Sequence, residues 1–304
     1  MKYLDGHVTV LAGYGFSDQG PYLRFNDVDA QTQHIVPVVG KTLSLVRQSR
    51  RFCTGRFDLR TFQREVCPLK VELLPTEKDE MCPACREATG FNPSFYYAET
   101  ISPQQREYNQ TSHFVYLAYF SPNHIKAGIS SETRGIERLL EQGARVACVV
   151  GRFANADDAR ALEAALCAQA GILETMRASL KARLLAEEKF DPAQAAMVLT
   201  QEMQRLAGIE AVVQEGFAPE DIQDLSACYF GGPSPDVSEL QLPEGHEGEC
   251  AGACIGMVGG LLVMKQGAFS YVISLKEWES HVVDLYEDEV RFVFDSVPQQ
   301  ASLF

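Results

Sequence analysis

Residues 51–112 limit most what this chain can fold into. They mix prolines and aromatics without a sustained helical period, and they hold four cysteines. Such a stretch needs something other than a hydrophobic core to hold it. Cys53 lies fourteen positions before Cys67, and after another fifteen comes the CxxC Cys82-Pro-Ala-Cys85. Four thiolates suit a tetrahedral Zn²⁺, because the CxxC turn sets two sulfurs on one ion and the wider pair closes the site. A closed four-cysteine site leaves no open coordination position, so this zinc is read as structural. Two alternatives stay open: four unrelated buried thiols, and a CxxC that cycles to a disulfide. The missing local core and the lack of a βαβ setting weigh toward zinc.

The other five of the nine cysteines carry less. Cys148, Cys167 and Cys228 stand alone in apolar or Ala-rich stretches and read as small buried hydrophobes. Cys250 and Cys254 form a looser CxxxC with His246 four residues upstream; buried or solvent thiols account for the pair better than a second metal.

Around the cysteine segment the pattern is mixed. Residues 1–50 read as strands: VTVLAGYG and PYLRF flank a Ser17–Pro21 turn signal, and IVPVVGKTLSLV follows. From Phe114 comes a hairpin of FVYLAYF and IKAGIS, then a helix over RGIERLLEQ with Ser130 or Ser131 as cap and Gly143 as stop. FVYLAYF is apolar on both faces and predicts a central strand. A third strand, RVACVVGRF, precedes an Ala-rich helix capped from Asn155, Asp157 or Asp158. Residues 159–215 are expected to be mostly helical, interrupted near Phe190-Asp191-Pro192. Residues 231–250 read as a linker or surface loop, and IGMVGGLLVMK, FSYVISL and RFVFDSV as terminal strands. The two β ends share a glycine-rich strand, a Gln-Gly turn and a Tyr-bearing strand, which suggests that they pack together as one barrel-like unit around the centre.

Charge is unevenly placed. RQSRRFCTGRFDLRTFQR carries Arg47, Arg50, Arg51, Arg56, Arg60 and Arg64 against the single acid Asp58, a local +5 in a chain of formal charge −14, which leaves −19 for the rest. Arginines interleaved with Phe52, Phe57 and Phe62 can pair with phosphates and stack on bases, so DNA or RNA is the expected partner. The competing account is that they neutralise the acidic remainder of the same protein. The most apolar stretch, Cys254–Met264, is too short for a bilayer span and carries three glycines, which excludes a helical membrane protein. Asp5 and His7 interrupt the start where a secretory signal needs an apolar core, so the chain is read as cytoplasmic.

The central unit resembles the GIY-YIG nuclease core. The resemblance rests on His113-Phe-Val-Tyr116, then Lys126-Ala127-Gly128 in the second strand of the hairpin, Arg138 in the next helix and Glu163 in the Ala-rich helix. By position it assigns Tyr116 to the first tyrosine, which helps to activate water, Gly128 to the glycine of the second motif, Arg138 to the phosphate-stabilising arginine and Glu163 to the metal-binding acid. Phe114 replaces the first motif's glycine, Ala127 its second motif's isoleucine, and Lys126 the second tyrosine. That last loss puts water activation in question while leaving a cation to contact phosphate. Ala159, Glu163, Leu166 and Ala170 share one helical stripe, so the acid points with packing residues and requires a partner, a metal or Arg138. The competing account is an Arg138–Glu163 ion pair that only ties two helices to a small sheet. The order of the cysteine segment, then VYLAYF, IKAGIS and TRGIERLLEQGA, then a glycine-rich β ending resembles an uncharacterised bacterial domain-of-unknown-function family that joins a zinc-like cysteine segment to a GIY-YIG-like core, closely over residues 45–170 and loosely at the ends.

The expected fold is therefore α+β, with four parts: a β-rich module over 1–50, the cysteine segment over 51–112, a GIY-YIG-like core with helical extension over 113–230, and a loop and β-rich module over 231–304. The expected function is action on nucleic acid, as a phosphodiester hydrolase using Mg²⁺ or Mn²⁺. Tyr116, Lys126, Arg138 and Glu163 form the expected catalytic set, and Cys53, Cys67, Cys82 and Cys85 the zinc ligands. The rivals are a non-catalytic DNA- or RNA-binding module and a zinc-stapled protein-interaction scaffold.

Overall fold

A computed structural model describes residues 2–91, 101–187, 189–232, 240–241 and 248–293. The N-terminal strands are β1 (Thr9–Ser17), β2 (Gly20–Asp27), β3 (Thr32–Pro37) and β4 (Thr42–Phe52). The run IVPVVGKTLSLV is thus two strands, split by a turn in which Lys41 N–H donates to Val38 O at 3.1 Å. The cysteine segment holds three two-residue strands, β5 (Arg56–Phe57), β6 (Arg64–Glu65) and β7 (Glu72–Leu73), then α1 (Pro83–Thr89) and α2 (Pro103–Asn109). Both helices correct the expectation of a segment without helix. Each starts at a proline, whose missing N–H costs nothing in a first turn.

The centre runs β8 (His113–Ser121), β9 (His124–Ser131), α3 (Glu137–Gln142), β10 (Val146–Phe153), α4 (Ala156–Cys167), β11 (Ile172–Leu173), α5 (Ala178–Glu187), α6 (Pro192–Ala207), α7 (Glu210–Gln214), β12 (Gln223–Asp224) and α8 (Ser226–Phe230). Gly143 ends α3 in the left-handed region at φ 79°, as expected of a helix stop. Asn155 accepts from Asp158 N–H and Asp191 from Ala193 and Gln194 N–H, which start α4 and α6. Neither Ser130 nor Ser131 caps α3. Ser131 precedes a 3₁₀ turn over Glu132–Arg134, and its side chain caps nothing.

The C-terminal strands are β13 (Leu240–Gln241), β14 (Glu249–Val258), β15 (Leu261–Gln266), β16 (Phe269–Ser274) and β17 (His281–Glu287). Two differences from expectation stand here. β17, HVVDLYE, is a strand the sequence pattern did not single out, and residues 291–293 of RFVFDSV are irregular while the remainder lies outside the described residues.

The two chain ends build one sheet, in the order β13-β16-β15-β14-β4-β17-β1-β2-β3, with β7 added beside β4. The ends pack together as expected, but along an open path rather than a closed barrel. β17 separates β4 from β1, so neither end makes this sheet alone.

A second sheet, β11-β9-β8-β10-β12, places β8 at its centre. One face of β8, Phe114, Tyr116 and Ala118, packs into the core of the large sheet. The other, Val115, Leu117 and Tyr119, packs with Ala159, Leu162 and Leu166 of α4 and with Ala195 and Leu199 of α6. Burial on both sides is why FVYLAYF lacks alternation.

Candidate active site and metal centre

Cys53 follows directly on β4, Cys82 precedes α1, and Cys85 lies in its first turn. β7 pairs with the end of β4 at Arg51 and Phe52 and brings the intervening loop back, so that Cys53 N–H donates to Val71 O at 2.9 Å. Cys53, Cys67, Cys82 and Cys85 are all buried, and their sulfurs lie within 4.8 Å of one another, a set that can hold a metal ion. The Cys53 sulfur accepts from Cys82 N–H at 3.1 Å and Gly55 N–H at 3.4 Å, contacts that orient a thiolate ligand. Burial pushes the Cys53 thiol up to about 11 and pushes Cys85 up as well. Cys82 is held below its ordinary value because hydrogen bonds from the Cys85 backbone and the neighbouring thiols outweigh its burial. A cation supplies the charge that lets such a set ionise together. Leu73 and the partly buried Val71 and Met81 are the apolar company of these four sulfurs, too little to form a core.

Cys250 and Cys254 are buried thiols on β14, and among the described residues neither belongs to a metal-sized cluster. His246 lies outside the described residues. Cys148 is buried, while Cys167 and Cys228 are half-buried.

The four residues matched to a catalytic set come together. Tyr116 of β8, Lys126 of β9, Arg138 of α3 and Glu163 of α4 all line one cavity of about 180 Å³. Tyr116 is 0% exposed; its hydroxyl makes no well-aligned hydrogen bond to a described residue, but it interacts with the Arg138 guanidinium. Lys126 Nζ lies 5.7 Å from the Tyr116 ring centroid and donates to Ala127 O at 2.9 Å. Gly128 pairs with Tyr116 across the hairpin, and a Cβ built there would stand 2.5 Å from Tyr116 Oη and 3.0 Å from Lys126 Nζ. Only glycine leaves room for both tips. Burial works against the Arg138 charge, yet Tyr116 and Glu141 hold its pKa above the ordinary value.

Glu163 is buried and paired with Arg160, which also reaches Glu174 at 3.1 Å. Arg138 instead faces Glu141 at 3.7 Å. The Arg138–Glu163 pair expected as an alternative is therefore not formed, because α4 supplies Glu163 with a closer cation one turn away. Ala170 lies beyond the end of α4 and is exposed, so the buried stripe stops at Leu166.

Arg160, Arg134, Tyr108 and His113 also line this cavity and were not read as site residues. The i,i+3 spacing of Arg160 and Glu163 was the signal available for the first. Burial holds the His113 imidazole below its ordinary pKa, with its Nδ1 2.7 Å from Thr111 O.

The six arginines of 47–64 go to different places. Arg47 donates to Glu277 O at 2.6 Å, and Arg50 grips Glu72 through two bonds of 2.9 and 3.0 Å. Arg51 is buried against Ser280 and the Asp79 carbonyl, Arg56 pairs with Glu65 at 2.7 Å, and Arg60 pairs with Glu107. Arg64 alone of the six has neither a carboxylate nor a carbonyl partner among the described residues; it lies over the Phe57 ring at 5.1 Å. Three of the six, Arg50, Arg56 and Arg60, thus pair with acids of their own protein as the competing account supposed, while Arg47 and Arg51 donate to neutral groups.

Another cavity, of about 360 Å³, contains none of the expected site residues. Lys181 lines it with Tyr14, Phe120 and Phe190. Burial and the nearby cations Lys126 and Arg138 push that amine down to about 8.

These features define an α+β protein with a buried four-cysteine cluster and a separate polar cavity lined by Tyr116, Lys126, Arg138 and Glu163. The chain belongs to the DUF2797 family, proteins of unknown function, whose model matches residues 40–283. That span begins just before β4, ends within β17 and contains both the cysteines and the cavity. Comparison with curated proteins and with solved structures gave no match. Among the described residues no helix is long and apolar enough to cross a membrane.

Proposed function

We propose that this protein acts on a nucleic-acid phosphodiester at the Tyr116 cavity, and that the four cysteines hold a structural zinc. The observation that carries the reading is the convergence of Tyr116, Lys126, Arg138 and Glu163, from four separate elements, on one cavity. Arg138 and Lys126 offer positive charge to a phosphate, and a guanidinium stabilises the charge that grows on its oxygens during hydrolysis. The Tyr116 hydroxyl, set beside the Arg138 guanidinium, can orient a water or a substrate oxygen.

Glu163 is the one carboxylate among the described lining residues. A single carboxylate fits Mg²⁺ or Mn²⁺, which take their remaining oxygens from water and substrate phosphate. Such an ion, when bound, supplies Lewis acidity and a more acidic water. Arg160 then turns from Glu163 toward Glu174, its second partner. A second reading, a non-catalytic phosphate-binding module, is favoured by Lys126 in place of a second tyrosine.

The test is cleavage and binding of labelled single- and double-stranded DNA and RNA at low salt, with EDTA, Mg²⁺ or Mn²⁺. Metal-dependent cleavage lost in Glu163→Ala, with the fold intact, is expected. Cleavage unchanged in that variant overturns the site; binding without cleavage selects the second reading.

A further inference from the structure

A separate cavity of about 220 Å³ lies where β1, β2 and the cysteine segment meet, lined by three arginines, Arg24, Arg56 and Arg64, and three glutamates, Glu80, Glu141 and Glu279. Its acids are already engaged: Glu141 faces Arg134 and Arg138, while Glu80 and Glu279 share Lys276. Arg56, on its wall, is paired with Glu65. Two guanidiniums remain, Arg24 of β2 and Arg64 of β6, and among the described residues neither has a carboxylate partner. Arg24 is only 7% exposed, and its one described hydrogen bond runs from Nη2 to Tyr22 Oη at 3.3 Å.

The β1–β2 register shifts between Leu11 and Gly13, a bulge, and Gly13 has φ +131°, a conformation that favours glycine. A Cβ there would make only ordinary contact, 3.6 Å from Arg24 Nη1 and 3.8 Å from Glu279 Oε1, so the Arg24 guanidinium lies over the bulge with the Glu279 carboxylate nearby. Arg64 is exposed on the short strand β6, and it lines the same cavity as the buried Arg24, which puts two guanidiniums on the wall of one cavity.

We propose that Arg24 and Arg64 bind a phosphoryl group. Two guanidinium forks match a tetrahedral dianion in both charge and donor geometry, which a single carboxylate does not. The phosphoryl group arrives either on a small molecule, as a dianionic monoester or free phosphate, or on a nucleic-acid backbone, as a monoanionic diester; in both, the guanidiniums donate to its unesterified oxygens. This site stands apart from the Tyr116 cavity and does not depend on cleavage there.

The experiment is calorimetric titration of the full-length, zinc-loaded protein at low salt with inorganic phosphate, pyrophosphate and a short oligonucleotide. Phosphate or pyrophosphate is expected to bind, and Arg24→Gln and Arg64→Gln each to weaken it about tenfold or more. Arg56→Gln on the same wall should change it less than about twofold, and Arg24→Lys should fall between. Thermal melts identify any variant that has lost the fold, in which case Arg24→Lys and Arg64→Gln carry the comparison. Oligonucleotide affinity that drops in the same variants identifies the backbone as the source; oligonucleotide affinity that stays constant identifies a small phosphorylated ligand. Glu163→Ala should leave phosphate binding intact, which separates this site from the catalytic reading. Wild type that binds neither small anion, or variants that bind like wild type, overturn the proposal.

Discussion

Gly128 owes its place to two neighbours rather than to its backbone. A methyl group at this position would stand 2.5 Å from Tyr116 Oη, so Gly128→Ala must push the phenol or Lys126 aside. We expect a loss of about 1–3 kcal/mol, the usual cost of overpacking, read as a lower midpoint in denaturant. Glu279 yields a second prediction at this scale. Burial and the adjacent Glu80 push its carboxyl up to about 7, with Lys276 opposing them. The folded chain therefore keeps a proton that the unfolded chain gives up, and stability falls as pH rises from the ordinary carboxylate range to about 7. Glu279→Gln imitates the protonated state, so its unfolding free energy should exceed the wild type's at pH 8, by on the order of 2 kcal/mol, with the gap shrinking toward pH 5. A gap that does not vary with pH contradicts this account. Residue identity alone marked Tyr116, Lys126, Arg138 and Glu163 as candidates, but not that Glu163 would face Arg160, or that Arg24 would be buried at a cavity without an ion-pair partner among the described residues.

The cysteine segment is held by elements too short to hold themselves. α1 has seven residues, and Cys82 at its N-cap makes no side-chain capping bond. Isolated helices of that length are unstable in water. Cys82→Ser combined with Cys85→Ser is expected to abolish binding of one zinc per chain, measured by atomic absorption, and to open residues 53–90 to hydrogen exchange. α8 presents the opposite case, a short helix fixed by one phenol: Tyr229 Oη donates to Ala144 O at 2.7 Å and lies 3.3 Å from Leu140 O, at the end of α3. Tyr229→Phe leaves those buried carbonyls short of a donor and should cost about 1–2 kcal/mol in equilibrium unfolding. The stop of α3, the start of α4 and the break before α6 were legible because Gly143, Asn155 and Asp191-Pro192 act within a few residues, whereas the start of α3 was not, since neither Ser130 nor Ser131 caps it. β17 was not, since HVVDLYE is brief and its strand character comes from pairing with β1 and β4.

At the scale of the molecule, the large sheet forms only when both chain ends are present. Removing residues 241–304 strips β14 and β17 from either side of β4 and separates it from β1. A fragment of residues 1–240 should therefore show no cooperative thermal transition by circular dichroism, and a sharp transition in that fragment would contradict the sheet order. The sequence by itself determined what depends on near neighbours: the doubly apolar β8, the stop of α3 and the starts of α4 and α6, and four cysteines in a segment with no core. It also marked four residues that the fold brings to one cavity. The tertiary structure alone decided which charges meet. Arg50 finds Glu72, Arg47 finds the Glu277 carbonyl, and Arg24 finds no ion-pair partner among the described residues, because ion partners are chosen by contacts between segments as far as 230 residues apart. Spacing in sequence carries no record of such distances, whereas a helical turn or a strand's alternation repeats within a few residues.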